Sequence, residues 1–195
     1  VDPFDRMTVE AETARGDRAR FHKGFLTREI SRTCGLDFTP PSVTIIGDQC
    51  RILMSERPAL KVLHGASQHI CNGGSLCGDS FSVFSDDSGH QMAIISDGMG
   101  TGGRAAVDGA MAASIMENLL KSGIGYQCAL RLTNAALLAK SGDESLSTLD
   151  LVSVDLYTGH TIFYKAGAPV SFIRSNGTCR EIEASSFPAG ILGDV

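Results

Sequence analysis

The segment that most limits how this chain folds is Ile94-Ile95-Ser96-Asp97-Gly98-Met99-Gly100-Thr101-Gly102-Gly103-Arg104. An apolar run from Met92 to Ile95 stops at a carboxylate, and four glycines follow before a long stretch of helical periodicity begins. Glycine permits tight turns and lets another segment or a ligand approach the backbone closely. The run therefore reads as a strand ending at Asp97, a compact loop and a helix, with a charged group handled at the junction.

Two chemistries suit such a junction. Gly98, Gly100 and Gly103 spell G-x-G-x-x-G after a strand and before a helix, the pattern that cradles a dinucleotide pyrophosphate. A dinucleotide site also needs a second strand after the helix and an acidic residue about twenty positions on. Residues 104–121 are instead followed by Gly123-Ile124-Gly125 and another helical pattern. Asp97 would also aim negative charge at the pyrophosphate with no lysine nearby, so nucleotide binding through Gly98–Gly103 stays a minor alternative.

The second chemistry comes from pairing. Gly78-Asp79-Ser80-Phe81-Ser82-Val83-Phe84, the polar turn from Ser85 to His90 and the strand 91–96 read as a β-hairpin with a loop longer than two residues. Centred on Ser88, it sets Asp79 opposite Asp97, with Phe81 opposite Ile95 and Val83 opposite Ala93 on the same face. Opposed Cβ atoms lie roughly 4.5–5.5 Å apart, and like charges there repel. A hard divalent cation removes that repulsion, because Mg²⁺ and Mn²⁺ prefer carboxylate, carbonyl and water oxygens. The Gly98 carbonyl would add one such oxygen. A slip of one residue would send the aspartates to opposite faces. In the competing structural reading they are solvated strand ends, one of them capping the next helix.

Ser96-Asp97-Gly98-Met99-Gly100, Gly78-Asp79-Ser80-Phe81-Ser82, Ser147-Thr148-Leu149-Asp150-Leu151 through Asp155-Leu156, and Phe187-Pro188-Ala189-Gly190-Ile191-Leu192 resemble the metal-dependent protein serine/threonine phosphatase (PPM) family. Within it they most resemble the stage II sporulation protein E branch. The resemblance implies an α+β fold, an αββα sandwich of antiparallel sheets flanked by helices, with two Mn²⁺ or Mg²⁺ ions at one end. Carried over by position, it implies Asp97 as the central metal ligand, the Gly98 carbonyl beside it and Asp79 as the earlier acidic ligand. Asp79 and Asp97 are then also the catalytic candidates. For the sporulation branch it implies a phosphoprotein substrate, an anti-sigma-factor antagonist.

A chain of 195 residues accommodates one domain and a smaller leading segment. Residues 1–57 read as a linker or regulatory segment, and 58–195 as a phosphatase domain incomplete at its C-terminus. A net charge of −5 leaves no nucleic-acid footprint. No apolar run approaches the roughly twenty residues of a membrane span, and no signal-peptide pattern is present, so a cytoplasmic location is expected. The opening Val-Asp-Pro lacks an initiator methionine and reads as part of a longer parent that could be anchored elsewhere. A homodimer stays open.

The six cysteines include no C-x-x-C and read as reduced thiols. His64, His69, Cys71 and Cys77 are zinc-competent types, but they lack the closely spaced pairs of structural zinc sites. Alternation along Lys61–Ala66 makes that stretch a strand, with the histidines at the surface.

Taken in order, residues 1–20 read as a solvated linker or marginal helix. Phe21, Phe25, Leu26, Ile30 and Cys34 recur at helical spacing before a Gly35 cap. Val43–Ile46 and Arg51–Met54 read as two short strands. After the glycine-rich loop 72–78, which lacks the Gly-Lys-Ser/Thr of a P-loop, comes the hairpin. Helix 104–121 places Ala106, Ala110, Ala113, Met116, Leu119 and Leu120 along one side, and helix 126–140 repeats the theme with Ala129, Leu132, Ala136 and Leu137, which reads as two antiparallel helices on one face of a sheet. Rotation of that pair would move Asp97, which makes the helices a candidate regulatory switch. Residues 149–156 with 160–164, and 170–174 with 179–182, form two more hairpins, the second around Asn176-Gly177. Asp150 and Asp155 read as edge or surface residues rather than ligands.

A two-metal hydrolase holds its ions about 3.5–4 Å apart, which takes several carboxylates. Only Asp79 and Asp97 are well placed. In the family further aspartates follow the Phe187-Pro188-Ala189-Gly190 motif, and this chain stops at Val195 before them; Asp194 is not promoted to ligand. The fragment is therefore expected to bind metal weakly and to hydrolyse little, with the activity belonging to its parent. A non-catalytic regulatory or partner-binding module is the alternative.

Overall fold

The computed structural model describes residues 6–14, 22–70, 76–140 and 145–191. The chain forms two compact units, Val1–Ala59 and Leu60–Val195.

The first unit holds strands β1 (Thr8–Ala14), β2 (Ser42–Ile46) and β3 (Gln49–Ser55), in the antiparallel order β1-β3-β2, and helix α1 (Lys23–Cys34). Along β3, Cys50, Ile52 and Met54 are buried and alternate with exposed Gln49, Arg51 and Leu53, the period of a half-buried strand. Leu26 and Ile30 of α1 border one small cavity with Val9, Ile52 and Met54. Gly35 ends α1 at φ 70°, its N–H bonded to the Ser31 carbonyl at 2.9 Å, a left-handed cap that glycine adopts without strain. Phe21 lies outside the described residues. Strand β1 corrects the linker reading. Val9, Ala11 and Thr13 register opposite Met54, Ile52 and Cys50, while Glu10 pairs with Arg51 across the sheet. Glutamates on the solvent face made an amphipathic strand look like a charged tail.

The second unit is built on a four-stranded antiparallel sheet, β4 (Asp79–Ser85), β5 (His90–Asp97), β6 (Leu149–Asp155) and β7 (Thr161–Ala166), in sequence order. Helices α2 (Gly102–Lys121) and α3 (Tyr126–Lys140) lie between β5 and β6 in sequence, and a separate hairpin follows, β8 (Ser171–Ser175) and β9 (Thr178–Ile182). Asn176 and Gly177 turn that hairpin at φ 49° and 79°, the paired positive values of a type I′ turn. β5 and β6 are antiparallel neighbours, so the strand, glycine loop and helix are not a βαβ unit and the dinucleotide pattern lacks its architecture.

The core lies between the sheet and the helices, where Ile94, Leu149 and Leu151 meet Ala112, Met116 and Leu137. Each large side chain buried there contributes roughly 1.5–3 kcal/mol. Most of the faces that apolar spacing marks are buried, with Ala113, Met116, Leu120, Ala129 and Leu137 in the core and Leu119 packed against it. Ala110 and Leu132 are exposed, while Asp108, Gly109, Thr133 and Asn134 are buried. Polar burial is tolerated because it is bonded: Asp108 pairs with Lys140, and the Thr133 hydroxyl donates to the Ala129 carbonyl at 2.8 Å. Residues 60–70 form no strand, correcting the strand expected at 60–66. The alternation exists, but among the described residues no neighbouring strand pairs with it. Leu60 N–H donates to the Leu156 carbonyl at 2.8 Å, and Leu63 is 83% exposed.

Candidate metal centre

The open end of the β4–β5 hairpin carries the candidate site. Its register sets Asp79 opposite Asp97, Phe81 opposite Ile95 and Val83 opposite Ala93. Met92, Ile94 and Ser96 are buried toward the helices, and the Ser82 hydroxyl donates to Glu117 of α2. Alternation therefore places Asp79 and Asp97 together on the opposite face. The N-cap of α2 is Thr101, so Asp97 is not spent on capping that helix.

Asp79 lies close enough to Asp97 to perturb it. Partial burial of the Asp97 carboxyl, then the Asp79 charge and a hydrogen bond to Asp79, raise the Asp97 pKa above its ordinary 3.8. Around Asp79, the Cys77 thiol donates to Oδ2 at 3.3 Å and the Gln68 side-chain amide donates to the backbone carbonyl at 2.7 Å.

Three glycines let the backbones converge at this point. A Cβ on Gly98 would overlap the Ala105 carbonyl oxygen and lie 2.8 Å from the Gly109 nitrogen. One on Gly109 would collide with the Gly78 carbonyl. Only at these positions can α2 seat its first turns against the ends of β4 and β5. A Cβ on Gly78 would lie 2.9 Å from the Gly98 carbonyl oxygen and 3.4 Å from Asp97 Oδ1, so both oxygens border the same small space. Asp79, Asp97 and the Gly98 carbonyl thus supply hard oxygen donors in one place, a set that suits Mg²⁺ or Mn²⁺ in kind. In number it is short: among the described residues no group of three or more His, Cys, Asp or Glu side chains is placed to hold a metal.

The two residues just before β6, Ser147 and Thr148, hold Asp97 from behind. The Thr148 N–H donates to the Asp97 carbonyl at 2.9 Å, and the Asp97 N–H donates to Thr148 Oγ1 at 3.1 Å. The Ser147 hydroxyl, fully buried, reaches the Asp97 carbonyl at 3.0 Å and Ser96 Oγ at 2.7 Å. Ser147 also exchanges two backbone bonds with Ala189, at 3.0 and 2.9 Å, and Gly190 N–H donates to Asn134 Oδ1 at 2.6 Å. Sequence reasoning assigned Ser147 and Thr148 no such task. The available signal was a pair of hydroxyl residues just before β6 and another at the end of β5.

The other candidates are not brought together. His64 and His69 are exposed, Cys77 bonds to Asp79, and Cys71 lies outside the described residues, as do residues 72–75 of the glycine-rich loop. Asp150 is not a plain surface residue: its Oδ2 accepts from Lys165 Nζ at 2.6 Å and from Ser171 Oγ at 2.7 Å. Asp155 shapes the β6–β7 turn, accepting from the Tyr157 N–H and the Thr158 hydroxyl, both at 2.9 Å.

The family model for stage II sporulation protein E (SpoIIE) matches residues 87–195. Stage II sporulation protein E of Bacillus subtilis (strain 168) is 35% identical over 134 residues, which is 69% of this chain and 16% of that protein. The chain therefore spans only a small part of that relative's length. The solved structure of the PP2C phosphatase domain and a regulatory-domain fragment of SpoIIE from Bacillus subtilis matches with a TM-score of 0.67 and 26% identity, over 98% of this chain and 56% of that one. RsbX in complex with magnesium matches at 22% identity and a TM-score of 0.50, over 60% of this chain and 57% of that one, a likeness of fold. With the paired carboxylates at the strand end where the sequence motifs put them, the chain belongs to the stage II sporulation protein E family and has the PP2C-type arrangement of antiparallel sheets and helices.

Proposed function

We propose that this chain carries part of the metal centre of a protein serine/threonine phosphatase that hydrolyses a phosphoserine on a regulatory protein of the anti-sigma-factor-antagonist type. The observation that carries the proposal is the facing pair Asp79 and Asp97 with the Gly98 carbonyl beside it. Family membership and a related structure that holds magnesium support it.

Asp79, Asp97 and the Gly98 carbonyl would hold a Mg²⁺ or Mn²⁺ ion. When bound, such an ion supplies Lewis acidity, activating water for in-line attack on phosphorus and screening the phosphoryl charge. The chain's own residues do the arranging. Asp97 and Asp79 provide the negative charge, Gly78, Gly98 and Gly109 keep side chains out of the space, and Ser147 and Thr148 fix the Asp97 backbone. Residues 58–195 form the catalytic part in this proposal and 1–57 a regulatory segment. Because α2 touches Gly98 directly through Ala105 and Gly109, a shift of the helix would be felt at the ligand-bearing strand end.

Among the described residues two carboxylates are fewer than a two-ion site needs, which favours weak cation binding by this part of the chain. The same shortage is the observation behind a second reading, a non-catalytic partner-binding module. The test is hydrolysis of a phosphoserine peptide by the full-length protein with Mn²⁺, beside Asp97→Asn. A loss of at least about 100-fold is expected; equal rates would overturn the assignment.

A further inference from the structure

We infer that Thr148, backed by Ser147, is a positioning residue that sets the Asp97 carboxylate for cation binding; the inference rests on the metal-centre reading above. The regular β5–β6 ladder extends to the pair Ile95 and Asp150. Asp97 lies beyond it, at a strand end followed by a glycine loop, where a backbone ordinarily frays. Yet both its backbone N–H and its carbonyl are engaged by Ser147 and Thr148, the two residues just before β6. Its N–H donates to Thr148 Oγ1 at 3.1 Å, and its carbonyl accepts from Thr148 N–H at 2.9 Å and from Ser147 Oγ at 3.0 Å.

The second hydroxyl gives this clamp its direction. Ser147 has one hydroxyl proton, and in donating it to the Asp97 carbonyl it must accept from Ser96 Oγ, 2.7 Å away. Ser96 and Ser147 are fully buried, so no water competes with the chain Ser96 to Ser147 to Asp97. Fixing the Asp97 peptide fixes the origin of its side chain. A carboxylate directly opposite a second one gains nothing from that orientation in the metal-free protein; the gain comes when both must face one ion. Outer contacts of this kind typically change metal affinity about 10–100-fold when removed.

The experiment is an Mn²⁺ titration of the full-length protein, read as melting temperature, for wild type, Thr148→Val, Thr148→Ser and Asp97→Asn. Valine keeps the shape of threonine and removes the acceptor of the Asp97 N–H; serine keeps it. The half-saturating Mn²⁺ concentration should rise about tenfold in Thr148→Val and return to within about twofold of wild type in Thr148→Ser. Backbone amide exchange at Asp97 without metal should speed up only in the valine variant. A merely structural role would lower the metal-free melting temperature and leave half-saturation unmoved, and that result would overturn the inference while sparing the metal centre. A wild type without any Mn²⁺ response, indistinguishable from Asp97→Asn, would overturn both.

Discussion

The two ends of the β4–β5 hairpin treat their carboxylates in opposite ways. At the turn, Asp86 is satisfied by one neighbour: it accepts from His90 N–H at 2.8 Å and lies 3.0 Å from His90 Nδ1. At the open end Asp79 and Asp97 face each other, and the pKa of Asp97 is raised. The same contrast recurs across the sheet, where Asp150 is matched by Lys165 and Ser171 and Asp155 by its turn. A carboxylate kept for the fold collects strong N–H or O–H donors from its own chain, whereas Asp79 takes the weak donor of the Cys77 thiol. A facing pair is a defect of the metal-free fold that a cation would repair, and the backbone has been thinned to glycine around it.

The largest effect should come from restoring a side chain there. Gly98→Ala would drive a Cβ into the Ala105 carbonyl and against the Gly109 nitrogen, forcing α2 off the strand ends. We expect a loss of about 4 kcal/mol, seen as a fall in melting temperature on the order of 10 °C. Gly100→Ala is the comparison, since Gly100 has φ 103° and a Cβ added there would meet nothing within 4 Å; backbone strain alone should cost about 1–2 kcal/mol. Equal losses would mean that the convergence of β4, β5 and α2 is not held by close packing at Gly98.

Next in size is the removal of a donor from a satisfied carboxylate. The Lys165 side chain is 1% exposed and bonds to Asp150, so Lys165→Met would leave a half-buried negative charge with Ser171 alone. A loss of about 3 kcal/mol is expected in denaturant unfolding, most of it recovered when Asp150→Leu is added, because a buried ion pair is itself close to neutral against an apolar pair. If the single variant were as stable as wild type, Asp150 would belong with the unsettled carboxylates and not with Asp86.

How much of this was legible in the sequence follows from what each feature rests on. The hairpin register was legible because the loop is symmetric about Ser88 and the apolar face of Phe81, Val83, Ala93 and Ile95 fixes the pairing. The β8–β9 turn was legible from Asn176-Gly177. Strand β1 was not, because its alternation uses alanine and threonine, weak apolar markers beside two glutamates. The buried faces of α2 and α3 were legible at Ala113, Met116, Leu120, Ala129 and Leu137, but apolar spacing cannot show that Gly109 is a close contact or that Asp108 is buried against Lys140. The strand at 60–66 failed since alternation marks a face and says nothing about the presence of a partner. The Ser147 and Thr148 clamp was hidden because hydroxyls acting on a neighbouring strand leave no periodic trace.

The smallest expected effect is the one that sharpens the comparison most. Glu117 has its pKa lowered from 4.5, first by the Lys121 hydrogen bond and then by that of Ser82, so the stability it contributes is present above 4.5 and is lost as pH falls. Asp97 has the opposite sign. Its folded pKa lies above the ordinary 3.8, so its contribution is intact below that value and is lost as pH rises through the folded pKa. Because Asp97 is largely open to solvent, screening holds the penalty to a few tenths of a kcal/mol. In metal-free buffer at neutral pH, Asp97→Asn should therefore be slightly more stable than wild type, the difference shrinking to nothing as pH falls below 3.8. Adding Mn²⁺ should reverse the order, because only the wild type gains the binding free energy of the ion. A wild type that is already the more stable protein without metal would show that Asp97 has found its partners within the fold, as Asp86 has, and the two ends of the hairpin would then differ in nothing that matters to function.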